Sequence, residues 1–298
     1  MNNQISQLVY AAALSSGLFL AACSGEMCSP NDGETSAVVG VDPGISGVST
    51  PSAPDATMTV AIAALQKKQL SSFLKTVLPP TQQDEMRKAW AEAQKEPIKA
   101  DEDAQFQAFM AMATAEGAED TLFHMVKPYL SEAQQQMEGM AQMLPMIMAG
   151  TMQDANLPQE SQAMLGDFAK EVVGIDLASE ENARRAVGIF VTTARALKVK
   201  SAKQLQALSF DEVMGRADLV YACVVDILGV YGLSPEGMLK SMTARTVSTT
   251  GDLAQMELTF SLFGMDPETV PFKMERIEGR WFPKAPEQDG ATTDGLAR

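Results

Sequence analysis

Two hydrophobic periods divide the body of this chain. From residue 56 to 241 apolar positions recur at three- and four-residue steps, as in helices that bury one face. From 242 to 284 they alternate, as in strands with one buried face. In the helical part, Asp55 can cap a helix from Ala56 that carries Val60, Ala63 and Ala64. It runs on through Gln66–Gln69 into Leu70–Val77, where Pro79 and Pro80 stop it. Thr81 and Asp84 approximate a capping box for a helix over Gln82–Glu96. Further helices are predicted over Asp101–Ala115, Glu116–Lys127, Ser131–Met152, Pro158–Val173 and Ser179–Lys198. The last long one, Ser209–Tyr231, is the clearest. Ser209 and Glu212 form a capping box, and Gly232 is a natural left-handed terminator. Between them Val213, Ala217, Val220, Val224, Ile227 and Tyr231 make one apolar stripe. Ser234 and Pro235 open one more short turn of helix.

In Leu253–Leu262 the alternation puts Ala254, Met256, Leu258, Phe260 and Leu262 on one face, with Gln255, Glu257, Thr259 and Ser261 on the other. Gly251-Asp252 pairs this strand with Thr243–Thr249 in a hairpin. Gly264–Pro267 leads to Val270–Ile277, with Val270, Phe272 and Met274 inward, and Glu278-Gly279 turns into Arg280–Phe282. The expected fold class is α+β, a predominantly helical body (56–241) followed by a C-terminal four-stranded antiparallel meander (242–284), together one domain over 56–284.

The two ends of the chain fall outside these periods. The apolar run Leu8–Ala22 is shorter than the ~20 residues a membrane span needs. It ends in Leu20, Ala21, Ala22 and Cys23, which resembles the lipobox of bacterial lipoproteins. The residues ahead of it contain no Lys or Arg, so the α-amino group is that region's only positive charge. The resemblance implies that residues 1–22 are a signal peptide and that Cys23 becomes the lipidated N-terminus. Ser24 after the cysteine, by the same resemblance, implies sorting to the periplasmic face of the outer membrane. Residues 23–55, about half Gly, Ser, Pro and Thr, have too little apolar surface to offset their ordering entropy and read as a flexible tether. Residues 285–298 read as a disordered tail.

Charge narrows the partners. The formal net charge is −15, and the first 22 residues contribute no charged side chain to it. Such a chain repels nucleic acid and anionic head groups, so nucleic acid is excluded as a partner and any membrane link must come through the lipid on Cys23. The single histidine, His124, sits on a predicted helix among apolar neighbours and reads as a surface or boundary residue. That leaves little room for histidine-dependent metal sites or Ser-His-Asp chemistry. No Gly-x-Ser-x-Gly or phosphate-binding glycine loop occurs. No cofactor is expected, and catalytic and ligand-binding residues cannot be named from the sequence.

Three chemistries remain to be weighed. Of 20 methionines, Met137, Met140, Met143, Met146, Met148 and Met152 crowd into Gln136–Gln153. Thioether clusters suit Cu(I), but Met137, Met140 and Met148 share a helix face with Ala141 and Leu144, the spacing of ordinary core or of an adaptable apolar surface. Acidic runs at Asp101–Asp103, Glu180-Glu181 and Asp211-Glu212 fall in first helical turns, where they complement the dipole. Asp218 and Asp226 lie opposite the apolar stripe of their helix and are expected to face solvent, a polar pocket wall being the other possibility. Cys223 is expected to be buried and inert, the alternative being a disulfide with Cys28. Trp90 and Trp281 read as structural anchors.

The N-terminal helix pair around Ala63–Leu70 and the closing meander Arg276–Trp281 resemble nuclear-transport-factor-2-like (cystatin-like) α+β domains. The resemblance covers the two ends of the body and implies that the helices between are a large insertion or a separate layer; it carries no catalytic residue across. The function expected is that of a lipid-anchored bacterial envelope protein, a non-catalytic module for a partner protein or an apolar ligand held between helices and sheet. The alternatives are a carboxylate-dependent envelope hydrolase, which needs two facing acids, and a Met-rich copper-binding protein.

Overall fold

The computed structural model describes residues 53–139, 174–233, 235–261 and 266–284. The first helix, α1 (Pro54–Gln66), starts two residues earlier than expected, with Pro54 in the first turn and Ala53 rather than Asp55 as N-cap. Pro54, Thr57, Met58, Ala61 and Ile62 form its buried face, while Val60 stands 44% exposed. Apolar residues lie nearly all round this helix, so spacing alone did not select the face that the sheet covers. The expected continuous helix is broken: Lys68 adopts φ +58, and α2 (Leu70–Val77) begins anew after Gln69. α3 (Pro80–Ala93) likewise starts on Pro80 rather than from a Thr81 capping box, because proline's fixed φ already suits the first turn.

α4 (Ala100–Thr114), α5 (Ala118–Val126) and α6 (Glu180–Leu197) enclose one core. Met110, Ala113, Ala118, Leu122, Val191 and Ala194 are buried there, ringed by Phe106, Phe109 and Phe190. Gly117, at φ +74, makes the turn between α4 and α5 that few other residues tolerate. After α5 the chain passes through a 3₁₀ turn, Lys127–Tyr129, into helix again over 130–139. Nine residues of the expected helix Ser131–Met152 are thus helical (131–139). Its remainder and Pro158–Val173 lie outside the described residues, as do the signal, the tether and the tail.

A short α7 (Ala202–Gln206) leads to α8 (Phe210–Val230), whose capping box is present in full: Ser209 Oγ accepts from Glu212 N–H, and the Glu212 carboxylate accepts from Ser209 N–H. α9 (Pro235–Ser241) follows. The sheet then runs β1 (Thr243–Thr250), β2 (Leu253–Phe260), β3 (Glu268–Ile277) and β4 (Arg280–Pro283), in the order β1-β2-β3-β4. The class is α+β with a four-strand antiparallel meander after the helices. Glu278 and Gly279, at φ +51 and +79, give the paired left-handed geometry of a tight hairpin turn. β1 carries a bulge where Thr246 pairs with Met256 and Ser248 with Gln255, leaving Val247 unpaired and 52% exposed.

The second core lies between the sheet and α1. Met58 meets Ala254, Met256, Met274 and Trp281 there, with Ala244 and Phe272 packed alongside. The alternation gives the correct inner face at Ala254, Met256, Phe272 and Met274, whereas Val270, at the start of β3, is 45% exposed and Leu262 lies outside the described residues. α8 packs against both α6 and α2.

Candidate functional site

The apolar stripe of α8 is covered only in part. Val220 and Val224, its middle, are 48% and 38% exposed, whereas Val213, Ala217, Ile227 and Tyr231 of the same stripe are half-buried and Met214, Cys223 and Val225 are buried. Two acids of this helix are engaged by other elements. Asp218 turns inward: its carboxylate accepts from Ser71 N–H at 2.6 Å and from Ser71 Oγ–H at 2.7 Å. Gln69, the N-cap of α2, makes no side-chain cap bond, so Asp218 caps α2 from another helix. Asp226 pairs with Lys68 in the break between α1 and α2, and Lys68 also lies 3.8 Å from Glu236 of α9. Both acids have structural partners, and Asp226, with its side chain 44% exposed, still faces solvent as expected. Loss of the Asp218 cap in Asp218→Ala is expected to destabilise the fold by about 1–2 kcal/mol. Asp226→Ala, removing a part-exposed ion pair, should cost under ~1 kcal/mol. Parallel urea melts of the two variants check that order.

The other sequence candidates are placed as follows. Asp103 is buried rather than solvated: it accepts from Gln107 Nε2 at 2.9 Å and from Lys203 N–H at 3.2 Å, tying α4 to the first turn of α7. Glu180 pairs with Lys127, and Asp211 with Arg87 and Lys75. His124 is exposed on α5. Cys223 is buried and free, and burial pushes its thiol pKa up, as the inert reading requires. Trp90 donates its Nε1–H to Leu208 C=O at 2.9 Å, and Trp281 is 4% exposed in the sheet core; both are anchors. Met137 lies on the helical stretch after α5, while Met140, Met143, Met146, Met148, Met152, Cys23 and Cys28 lie outside the described residues. Among the described residues no group of three or more His, Cys, Asp or Glu side chains is placed to hold a metal ion. Nor is any single described helix long and apolar enough to cross a membrane.

A site that the sequence did not suggest lies between α4 and the end of α6. The outward residues of α4 there are small or polar, Gln107, Ala108, Ala111 and Thr114, and leave a groove of about 740 Å³ open to solvent. That lies within the usual ~300–1,000 Å³ of ligand pockets. Its floor comes from the helical core: Met110 and Ala194 line it, 6% and 3% exposed. The far wall forms because α6 stops abruptly. Lys198 adopts φ +54, ending the helix, and the next residue, Val199, is drawn into the interior at 5% exposure. Arg216 Nε–H donates to the terminal carbonyl of Leu197 at 2.9 Å and secures that end.

Charge distinguishes this groove. Arg195 is neutralised, donating to Glu119 at 2.7 Å and to Ala115 C=O at 2.8 Å. Lys198 and Lys200 also line the groove, and neither ammonium group has a carboxylate partner among the described residues. The arrangement can hold an apolar body against Met110, Ala111, Ala194 and Val199 and an anionic group against the two lysines. The traces in the sequence were faint: alanines at helical spacing on α4 (Ala104, Ala108, Ala111) and two lysines flanking Val199. Comparisons with protein-family models, with curated proteins and with solved structures find no match.

Proposed function

We propose that the chain is a lipid-anchored bacterial envelope protein, carried on the outer membrane through Cys23, whose folded part acts as a non-catalytic binding module. The observation that carries the binding reading is the groove between α4 and the end of α6, apolar in its floor and rimmed by two lysines that have no carboxylate partner among the described residues. The anchoring reading is supported by the lipobox-like Leu20–Cys23 and the Gly/Ser/Pro-rich stretch after it. Three acids that the sequence singled out have structural roles: Asp218 caps a helix, Asp226 holds a turn, and Asp103 joins two helices. The likeness of the helix pair and meander to nuclear-transport-factor-2-like domains is kept as a proposal about the scaffold, a fold that serves binding as readily as catalysis.

A photo-reactive benzoylphenylalanine at Ala111, irradiated in intact cell envelopes, tests the binding reading. The same group at Gln255, on the exposed face of β2, is the control. Adducts are expected from position 111 and not from 255, read as a mass shift of the chain. Equal labelling at the two positions, or none at 111, overturns the reading.

A further inference from the structure

We infer that the groove takes a free single-chain carboxylate amphiphile, its carboxylate between Lys198 and Lys200 and its alkyl chain along Met110, Ala111 and Ala194. This rests on the binding reading of the same groove and names its ligand. Three observations lead to that class.

The first is polarity. The lining combines the cationic Lys198 and Lys200 with the apolar Met110, Ala111, Ala194 and Val199, so it suits a ligand with one anionic part and one apolar part. A wholly apolar ligand leaves the lysines without a partner, and a compact anion leaves the apolar floor wet. The second is sign. In a chain of net charge −15, an anion is favoured only where cations escape pairing with the abundant carboxylates. Arg195, in the same wall, shows the ordinary outcome, since Glu119 claims it. Lys198 and Lys200 depart from that outcome, and they do so where the apolar floor is accessible.

The third is length. The α4 wall extends from Gln107 to Thr114, about 10 Å at the helical rise per residue. One extended alkyl chain of medium length fits along it. The free single-chain acid, rather than a phospholipid, is the source proposed.

Titration calorimetry of the purified protein with decanoate tests this. Saturable binding of one decanoate per chain is expected, with butyrate and decyltrimethylammonium binding at least tenfold more weakly. In the double variant Lys198→Gln/Lys200→Gln decanoate affinity is expected to fall at least tenfold. Ala111→Trp, which fills the groove from its exposed wall, is expected to abolish binding. All substituted residues are exposed, and unchanged circular dichroism melts establish that each variant is folded. Butyrate binding as tightly as decanoate overturns the amphiphile in favour of a simple anion site. Unaltered affinity in the double variant overturns the role of the lysines. If decanoate does not bind while Ala111 still forms its photo-adduct in envelopes, the ligand class is wrong and the binding reading stands. If both fail, both fall.

Discussion

Trp281→Ala is expected to destabilise the protein by about 3–5 kcal/mol, the range for removing a large aromatic ring from a packed core. Trp281 is 4% exposed on β4 and closes the sheet core with Met58, Ala254, Met256 and Met274. Those neighbours come from α1, β2 and β3, so no single element can relax to fill the space. A fold of this size loses roughly 2–4 °C per kcal/mol, which sets the thermal shift at about 6–20 °C. Val270→Ala is the internal comparison. Val270 is predicted inward by the same alternation but stands 45% exposed, so its truncation should change stability by less than ~0.5 kcal/mol. Thermal melts of the two variants measure the contrast, and similar losses in both would show that the sheet core extends beyond the residues assigned to it.

The other large effect belongs to Cys23. If Cys23 is the lipid attachment point, Cys23→Ala is expected to abolish incorporation of labelled palmitate and to release the mature body from the membrane fraction or leave it as uncleaved precursor. No single described helix is long and apolar enough to span a bilayer, and a net charge of −15 disfavours adhesion to anionic lipid. Undiminished palmitate labelling in the variant would place the lipid elsewhere or remove it altogether.

The elements were legible where local chemistry decides them. The Ser209–Glu212 capping box, the Gly251 and Glu278-Gly279 turns and the alternation in β2 each rest on residues next to one another, and each appears as expected. What local chemistry does not contain is which side of an element another element will cover. α8 has apolar residues all round, and Val220 and Val224 read as core, while Ser71 and Lys68, 147 and 158 residues away, engage Asp218 and Asp226. The exposure of these two valines is a tertiary effect, which periodicity cannot register. α1 repeats the lesson with Val60, and the break at Lys68 adds another, since nothing in Gln66–Gln69 marks a left-handed residue.

The groove was hidden for a related reason. Its chemistry is divided between α4 and the residues just past α6, which lie some 90 positions apart, and neither half forms a motif. An alanine-rich helix face looks like propensity, and lysines near a helix end look like dipole compensation. The two become one surface only because Lys198 takes a left-handed conformation and α6 packs beside α4.

The irregularity at Val247 bears on how copies of this protein tolerate one another. β1 lies at the margin of the sheet, and a margin strand offers its backbone groups to any neighbour that approaches in register. Proteins tethered to a common surface, as proposed for this one, meet far more often than the same number free in solution. The unpaired Val247 throws the strand's hydrogen-bonding rhythm out of step on its two sides, so a second β1 can match one half and must mismatch the other. A single extra residue thereby lets crowded copies collide without zipping together.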